Sequence, residues 1–204
     1  MDVAEIRAVA DWSSVLSSDE QAAYDALPPK FILGASRFVS YKRLDIVIRA
    51  GEVAGLPVVL AGGGPDEALI NSLAASAKVD VTVLSRPSTQ LLRALYQKAL
   101  LYVFPPVEDF GIMPVEAMAA GTPVLANRVG GASETVTEGK TGALFDADDE
   151  ASLLSGLNRA LSLDTAGISD HALPFSRDRF QNEIRAWVAE HSAVKAPHPG
   201  HTFK

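Results

Sequence analysis

Six short apolar runs, near 31–35, 57–61, 80–84, 100–104, 123–126 and 142–145, recur along the chain with stretches of helical period between them. Runs of this length, bounded by Gly, Pro and polar residues, read as strands buried on both faces. Their alternation with helical segments predicts an α/β chain: a doubly wound parallel sheet of about six strands with helices on both faces. Leu44, Val47, Ile48 and Gly51 mark the inward face of one helix, Leu92, Leu95, Tyr96 and Ala99 that of another, and Leu153, Leu157, Ala160 and Leu161 that of a third. Core packing accounts for all of them.

The ends are less regular. Residues 1–30 carry only weak helical signals, with Ser17 and Glu20 spaced as a capping box and Pro28-Pro29 as a break before the first strand. They read as a lead-in or a remnant, and residues 31–191 as the domain proper. Beyond Pro174 one more amphipathic helix is expected, with Phe180, Ile184, Trp187 and Val188 on a stripe that needs a surface to cover. The tail, 192–204, has no periodicity and is expected to be disordered.

The most informative stretch is P-P-V-E-D-F-G-I-M-P-V-E-A-M-A-A-G-T-P-V-L-A at 105–126. It follows the fourth apolar run, so Glu108 falls in a loop beyond a strand's carboxyl end, where open α/β sheets bind ligands. Pro114 sits where a first helical residue is favoured, which puts Glu116 in the first helical turn, and Gly121 with Pro123 marks the stop. Two carboxylates with seven residues between them would then line one crevice. Carboxylates there can accept hydrogen bonds from sugar and ribose hydroxyls, and free N–H groups of the turn can serve phosphate oxygens.

Composition narrows the partners. With 204 residues, 48% hydrophobic and 21% charged, the chain can bury a full core. A formal net charge of −7 argues against nucleic-acid binding, so any bound anion must be held by local cations. No cysteine means no disulfide, thiol nucleophile or thiolate metal site. The first residues lack a signal-peptide pattern and no long apolar run occurs, so the expected location is cytoplasmic, with any membrane association indirect, as a peripheral protein at the inner face.

From Phe31 to about Leu163 the chain resembles the nucleotide-binding half of retaining glycosyltransferases of family four, enzymes of the GT-B arrangement with two Rossmann-like domains. The motifs that carry the resemblance are A-S-R-F-V-S-Y-K-R-L-D at 35–45, A-G-G-G-P at 61–65, L-L-R-A-L-Y-Q-K-A at 91–99, the paired-glutamate block, and G-G-A-S-E-T-V-T-E-G-K-T-G at 130–142. The E-D-F-G-I-M-P-V-E form and F-S-R-D-R-F at 175–180 look most like bacterial mannosyltransferases of lipopolysaccharide and exopolysaccharide assembly.

The resemblance implies a donor site. Arg37 and Lys42 would contact the pyrophosphate, a role that suits a planar fork and a point charge beside a leaving diphosphate. Glu108 would orient the donor sugar, with Phe110, Gly111 and Ile112 completing the loop, and Glu116 would hold the ribose. Gly63, in the turn Gly62-Gly63-Gly64, would border the same crevice, although a Gly-rich turn alone is a weak signal and the G-x-G-x-x-G order is missing. Leu84, Ser85 and Arg86 occupy the segment that would grip the base, with Ser85 where a glycine is common. Gly130 and Gly131 are either phosphate-side backbone or loop punctuation.

No metal and no cofactor is expected. Asp146-Ala147-Asp148 precedes a helix and reads as capping, and His171, His191, His198 and His201 lack ligand spacing. The implied reaction is transfer of a hexose, mannose from GDP-mannose, to a glycan or lipid-linked acceptor held by a missing amino-terminal domain. This half would then be inactive alone. A non-catalytic sugar-nucleotide-binding module and a GT-B epimerase half remain as alternatives.

Overall fold

The computed structural model describes residues 3–192. Of the expected tail, 192–204, Ser192 is instead the last residue of a helix, and 193–204 lie outside the described residues, and with them His198 and His201. Six strands form one sheet: β1 (Ile32–Arg37), β2 (Val58–Gly63), β3 (Val81–Ser85), β4 (Leu101–Phe104), β5 (Val124–Asn127) and β6 (Gly142–Phe145). Every pairing is parallel and the order is β3-β2-β1-β4-β5-β6. The six apolar runs therefore become the six strands, displaced by two residues at most.

Because successive strand side chains point to opposite faces, each strand supplies two cores. Ile32, Leu60, Val103, Leu125 and Phe145 face one side, against α3 (Leu44–Ala54), α4 (Glu67–Ser76) and α8 (Glu150–Leu161). Leu33, Val59, Tyr102 and Ala126 face the other, against α5 (Thr89–Lys98) and α6 (Ile112–Ala119). The predicted inward residues Leu44, Val47, Ile48, Gly51, Leu153, Leu157 and Ala160 are buried, whereas Leu161 at the last turn of α8 is exposed.

Residues 3–27 pack on the second face. α1 (Val3–Ala8), a 3-10 turn at Trp12–Val15 and α2 (Ser18–Asp25) place Val3, Ile6, Trp12 and Leu27 in the interior. Ser17 and Glu20 close the expected capping box. The Trp12 indole N–H donates to the Ile6 carbonyl at 3.1 Å, and Lys98 of α5 donates to the Tyr24 and Leu27 carbonyls.

At the other end a 3-10 segment (Ile168–Phe175) buries Ile168 and Ala172 against α6, and leads into α9 (Arg177–Ser192). None of the residues of α9 is buried, so the stripe Phe180, Ile184, Trp187 and Val188 stands exposed. Among the described residues no helix is long and apolar enough to cross a membrane.

Candidate functional site

The strand order reverses direction between β1 and β4, the only neighbours in the sheet that are not consecutive in the chain. Their connections leave to opposite faces and open a crevice beyond the carboxyl ends. All the candidate residues gather on that edge. Arg37 is the last residue of β1, in register with Gly63, the last of β2, and Gly62 is in register with Ser85, the last of β3. Glu108 and Phe110 follow β4, and Glu116 lies within α6.

The β1 side supplies cations. Phe38 is fully buried, and its N–H and carbonyl bond to the Gly63 carbonyl and the Asp66 N–H at 3.0 Å each, which anchors the turn that follows. Lys42 ends a 3-10 turn (Ser40–Lys42), with its N–H on the Val39 carbonyl at 3.0 Å. A glycine is needed at position 62, since a Cβ there would lie 1.8 Å from the Ser36 carbonyl oxygen. The Gly-rich turn thus lets two loops lie flush. Arg37 is exposed and makes none of the ion pairs found among the described residues, and Arg86, also exposed, adopts a left-handed φ of 48° with its N–H on the Gly62 carbonyl at 2.6 Å. Leu84 is half-buried beneath them.

The β4 side supplies acids. The Glu108 carbonyl accepts from the Gly131 N–H at 2.7 Å, and the Pro105 carbonyl from the side-chain amide of buried Asn127 at 2.8 Å. A Cβ at Gly131 would stand 2.1 Å from the Asp109 carbonyl oxygen, so this glycine lets the next loop brace the Glu108 loop from below. Asn127 has no motif to announce it. Its function depends on a partner 22 residues away.

Across the crevice, the Lys42 ammonium pairs with the Glu108 carboxylate. The pair joins a β1-side cation to a β4-side acid.

Two expectations need correction. α6 begins at Ile112, with Gly111 as its N-cap at φ 82°, so Pro114 is the third helical residue and Glu116 the fifth, beyond the first turn. Proline is tolerated there because the N–H it lacks is one of the first four, which have no partner within the helix. At the crevice edge the two glutamates line adjoining clefts that share a wall. Glu108 lines a cleft of about 420 Å³ with Tyr41, Val107 and Met113, and Glu116 a cleft of about 480 Å³ with Arg93, Phe175 and Phe180; Phe110 and Ile112 wall both. The wall exists because the Gly111 turn projects these two apolar side chains outward, both exposed, between the acids.

Glu116 is half-buried above Tyr96 and Tyr102, two phenols at the heart of the second-face core. Burial first, then the neighbouring phenol of Tyr102 and the Glu116 carboxylate, push the Tyr96 hydroxyl well above the usual tyrosine range; burial and Glu116 do the same to Tyr102. Both therefore stay neutral near pH 7. The Tyr102 hydroxyl donates to the Ala35 carbonyl at 2.9 Å, and the rings meet edge to face at 5.4 Å. Arg93, unremarked in the sequence, reaches the same cleft while held by Glu5 at 2.6 Å and stacked 4.6 Å from the Trp12 ring centre.

The acidic string behaves as a turn. The Asp148 N–H bonds the Asp146 side chain at 3.1 Å, Asp149 caps α8 through the Ala151 N–H at 3.0 Å, and Asp148 pairs with Arg43 at 3.2 Å. The capping expected of this segment is performed by Asp149, one residue later than the string itself.

Known proteins match this arrangement. Residues 19–180 fit the family model of glycosyl transferases group 1, and the chain belongs to that family. A D-inositol 3-phosphate glycosyltransferase of Mycobacterium avium (strain 104) is 36% identical over 186 residues, 78% of this chain and 43% of that protein. A protein of Mycobacterium tuberculosis (strain ATCC 25618 / H37Rv), named GDP-mannose-dependent alpha-(1-6)-phosphatidylinositol monomannoside mannosyltransferase, is 35% identical over 154 residues, 65% of this chain and 40% of its own length. Among solved structures, sucrose-phosphate synthase from Thermosynechococcus elongatus superposes with a TM-score of 0.69 at 23% identity, covering 88% of this chain and 50% of that one. Anabaena HepE, solved with UDP and glucose, gives 0.66 at 24% identity, covering 91% and 55%. These likenesses establish a GT-B glycosyltransferase fold. The chain spans less than half the length of the curated relatives it matches.

Proposed function

We propose that the chain is the donor-binding half of a retaining hexosyltransferase, and that it takes mannose from GDP-mannose for transfer to a glycan or lipid-linked acceptor. The observation that carries this reading is the placement of Arg37 and Lys42 on one lip of the topological crevice and Glu108 and Glu116 on the other. When the bond from the sugar's anomeric carbon to phosphate breaks, negative charge grows on the departing diphosphate. Fixed cations on the β1 side stabilise that charge, so no metal is required. Glu108 accepts from hydroxyls of the sugar, Glu116 from the ribose, and the edge at Leu84, Ser85 and Arg86, with Gly63 beside it, receives the base. Main-chain groups of Phe110, Gly111 and Ile112 complete the sugar's surroundings.

Mannose is favoured over glucose by the name of the Mycobacterium tuberculosis relative, which specifies GDP-mannose and a phosphatidylinositol-linked acceptor. The UDP in the HepE structure marks the competing base. Acceptor binding is assigned to a further domain, because the chain spans less than half the length of its curated relatives and orienting the acceptor supplies a large share of the rate. Isolated residues 1–204 therefore bind donor without turning it over.

Calorimetric titration with GDP, UDP, ADP and the matching nucleosides tests this. GDP is expected to bind most tightly, chelator to change nothing, and Arg37→Ala to weaken diphosphates by about 1.5–3 kcal/mol, the scale of a charge-assisted hydrogen bond, while sparing nucleosides. Absence of binding by every diphosphate at millimolar concentration overturns the reading.

A further inference from the structure

The Lys42 ammonium that a diphosphate would use is already paired with Glu108. Their charged groups are in contact, with the Lys42 side chain 12% and the Glu108 side chain 26% exposed. The screening that makes surface pairs cheap to break is thus reduced. Nor can either partner withdraw with its backbone. The Lys42 N–H is bonded to Val39, behind buried Phe38, and the Glu108 carbonyl is bonded to Gly131. An anion that takes the ammonium therefore meets the Glu108 carboxylate beside it.

We propose that Glu108 is a specificity residue: by holding Lys42 and standing beside the phosphate position, it disfavours a bare nucleoside diphosphate relative to the same diphosphate carrying a sugar. This rests on reading the crevice as the donor site. A terminal phosphate carries about 1.5–2 negative charges at pH 7, whereas esterification by a sugar leaves it a single charge. The bare diphosphate must both displace the carboxylate from Lys42 and lie against it uncompensated. The donor brings hydroxyls that donate to the freed carboxylate, which offsets the lost ion pair. The consequence for a transferase is that the product diphosphate is expelled once the sugar has left.

The experiment is calorimetry with two matched ligand pairs, GDP with GDP-mannose and UDP with UDP-glucose, on the 204-residue chain and on Glu108→Gln, Lys42→Ala and the double variant. Thermal melting verifies each fold, and Glu108→Ala replaces the Gln variant if that fails to fold. In Glu108→Gln the bare diphosphate is expected to bind about tenfold more tightly, the fold-change of one charged contact, with the sugar-bearing donor weaker because its hydroxyls lose a charged acceptor. In the Lys42→Ala background the same substitution should tighten the diphosphate less, because no ammonium is left to release. If the unaltered chain binds neither member of either pair, the donor-site reading itself falls. If it binds them and Glu108→Gln leaves the ratio of the two dissociation constants within about twofold, or tightens both members equally, this inference is overturned and the donor site stands.

Discussion

The two ends of the described chain invert what their patterns suggest. Residues 3–27 have weak helical periodicity, broken by a 3-10 turn, yet Val3, Ile6, Trp12 and Leu27 are all buried. α9 carries an apolar stripe, Phe180, Ile184, Trp187 and Val188, over about two and a half turns, yet Phe180 and Trp187 are 64% and 58% exposed. Amphipathicity states that a segment has a face to bury; whether it is buried depends on a complementary surface within reach. α5 and α6 present such a surface to the amino-terminal segment, and polar anchors on it complete the fit: Arg93 for Glu5 and the Trp12 ring, Gln97 for the Trp12 N–H and the Val9 carbonyl, Lys98 for Tyr24. α9 meets little of the domain besides the 3-10 segment that leads into it.

The largest test of this contrast is truncation. Burial of one large apolar side chain is worth about 1.5–3 kcal/mol, so removing four of them takes about 6–12 kcal/mol from a domain whose whole stability is about 5–15. A chain beginning at residue 28 should show no cooperative thermal transition, whereas one ending at Ser176 should melt within a few degrees of the full chain. Equal loss from both truncations would break the comparison.

Single tryptophans sharpen it. Trp12→Ala should cost about 3–5 kcal/mol by denaturant titration, the range for large aromatic-to-alanine changes in cores. Trp187→Ala should stay within about 0.5 kcal/mol, as an exposed side chain away from any buried network does. A smaller effect belongs to the cap. Ser17→Ala removes one half of the capping box and is expected to cost about 1 kcal/mol, measurable in the same titration.

The smallest effect is in acid. The Arg93 guanidinium, through its hydrogen bond and then its charge, holds the Glu5 carboxyl below the usual range. A depressed carboxylate contributes stability above its unfolded pKa, and that contribution is lost as pH falls through the folded pKa. Glu5→Gln should therefore lower the melting temperature slightly at pH 7 and flatten its decline between about pH 5 and 3, near the ordinary carboxylate range. An unchanged pH profile would show that this exposed pair adds nothing to the anchoring.

Much of the molecule was legible in order along the chain. Strands buried on both faces leave continuous apolar runs, and helices covering them leave a 3.6-residue period, so the six strands and the inward faces of α3, α5 and α8 follow from one-dimensional pattern. Glu108 was expected from its place after the fourth apolar run, Gly63 from its Gly-rich turn, and Arg37 and Ser85 from the family resemblance; they lie near one another because a parallel sheet brings every strand's carboxyl end to one edge. What the tertiary structure alone decided are relations between residues distant in sequence. The Lys42–Glu108 pair, the bracing of Glu108 by Gly131, the tie from Asn127 to Pro105 and the arrival of Arg93 beside Glu116 each depend on how separate loops meet. The start of α6 at Ile112 belongs with them, since a left-handed Gly111 opens the helix ahead of Pro114. Local periodicity records which face of a segment is apolar. Contacts across the sheet's edge leave no period, because the energy that selects them is gained only after both partners have already been brought together.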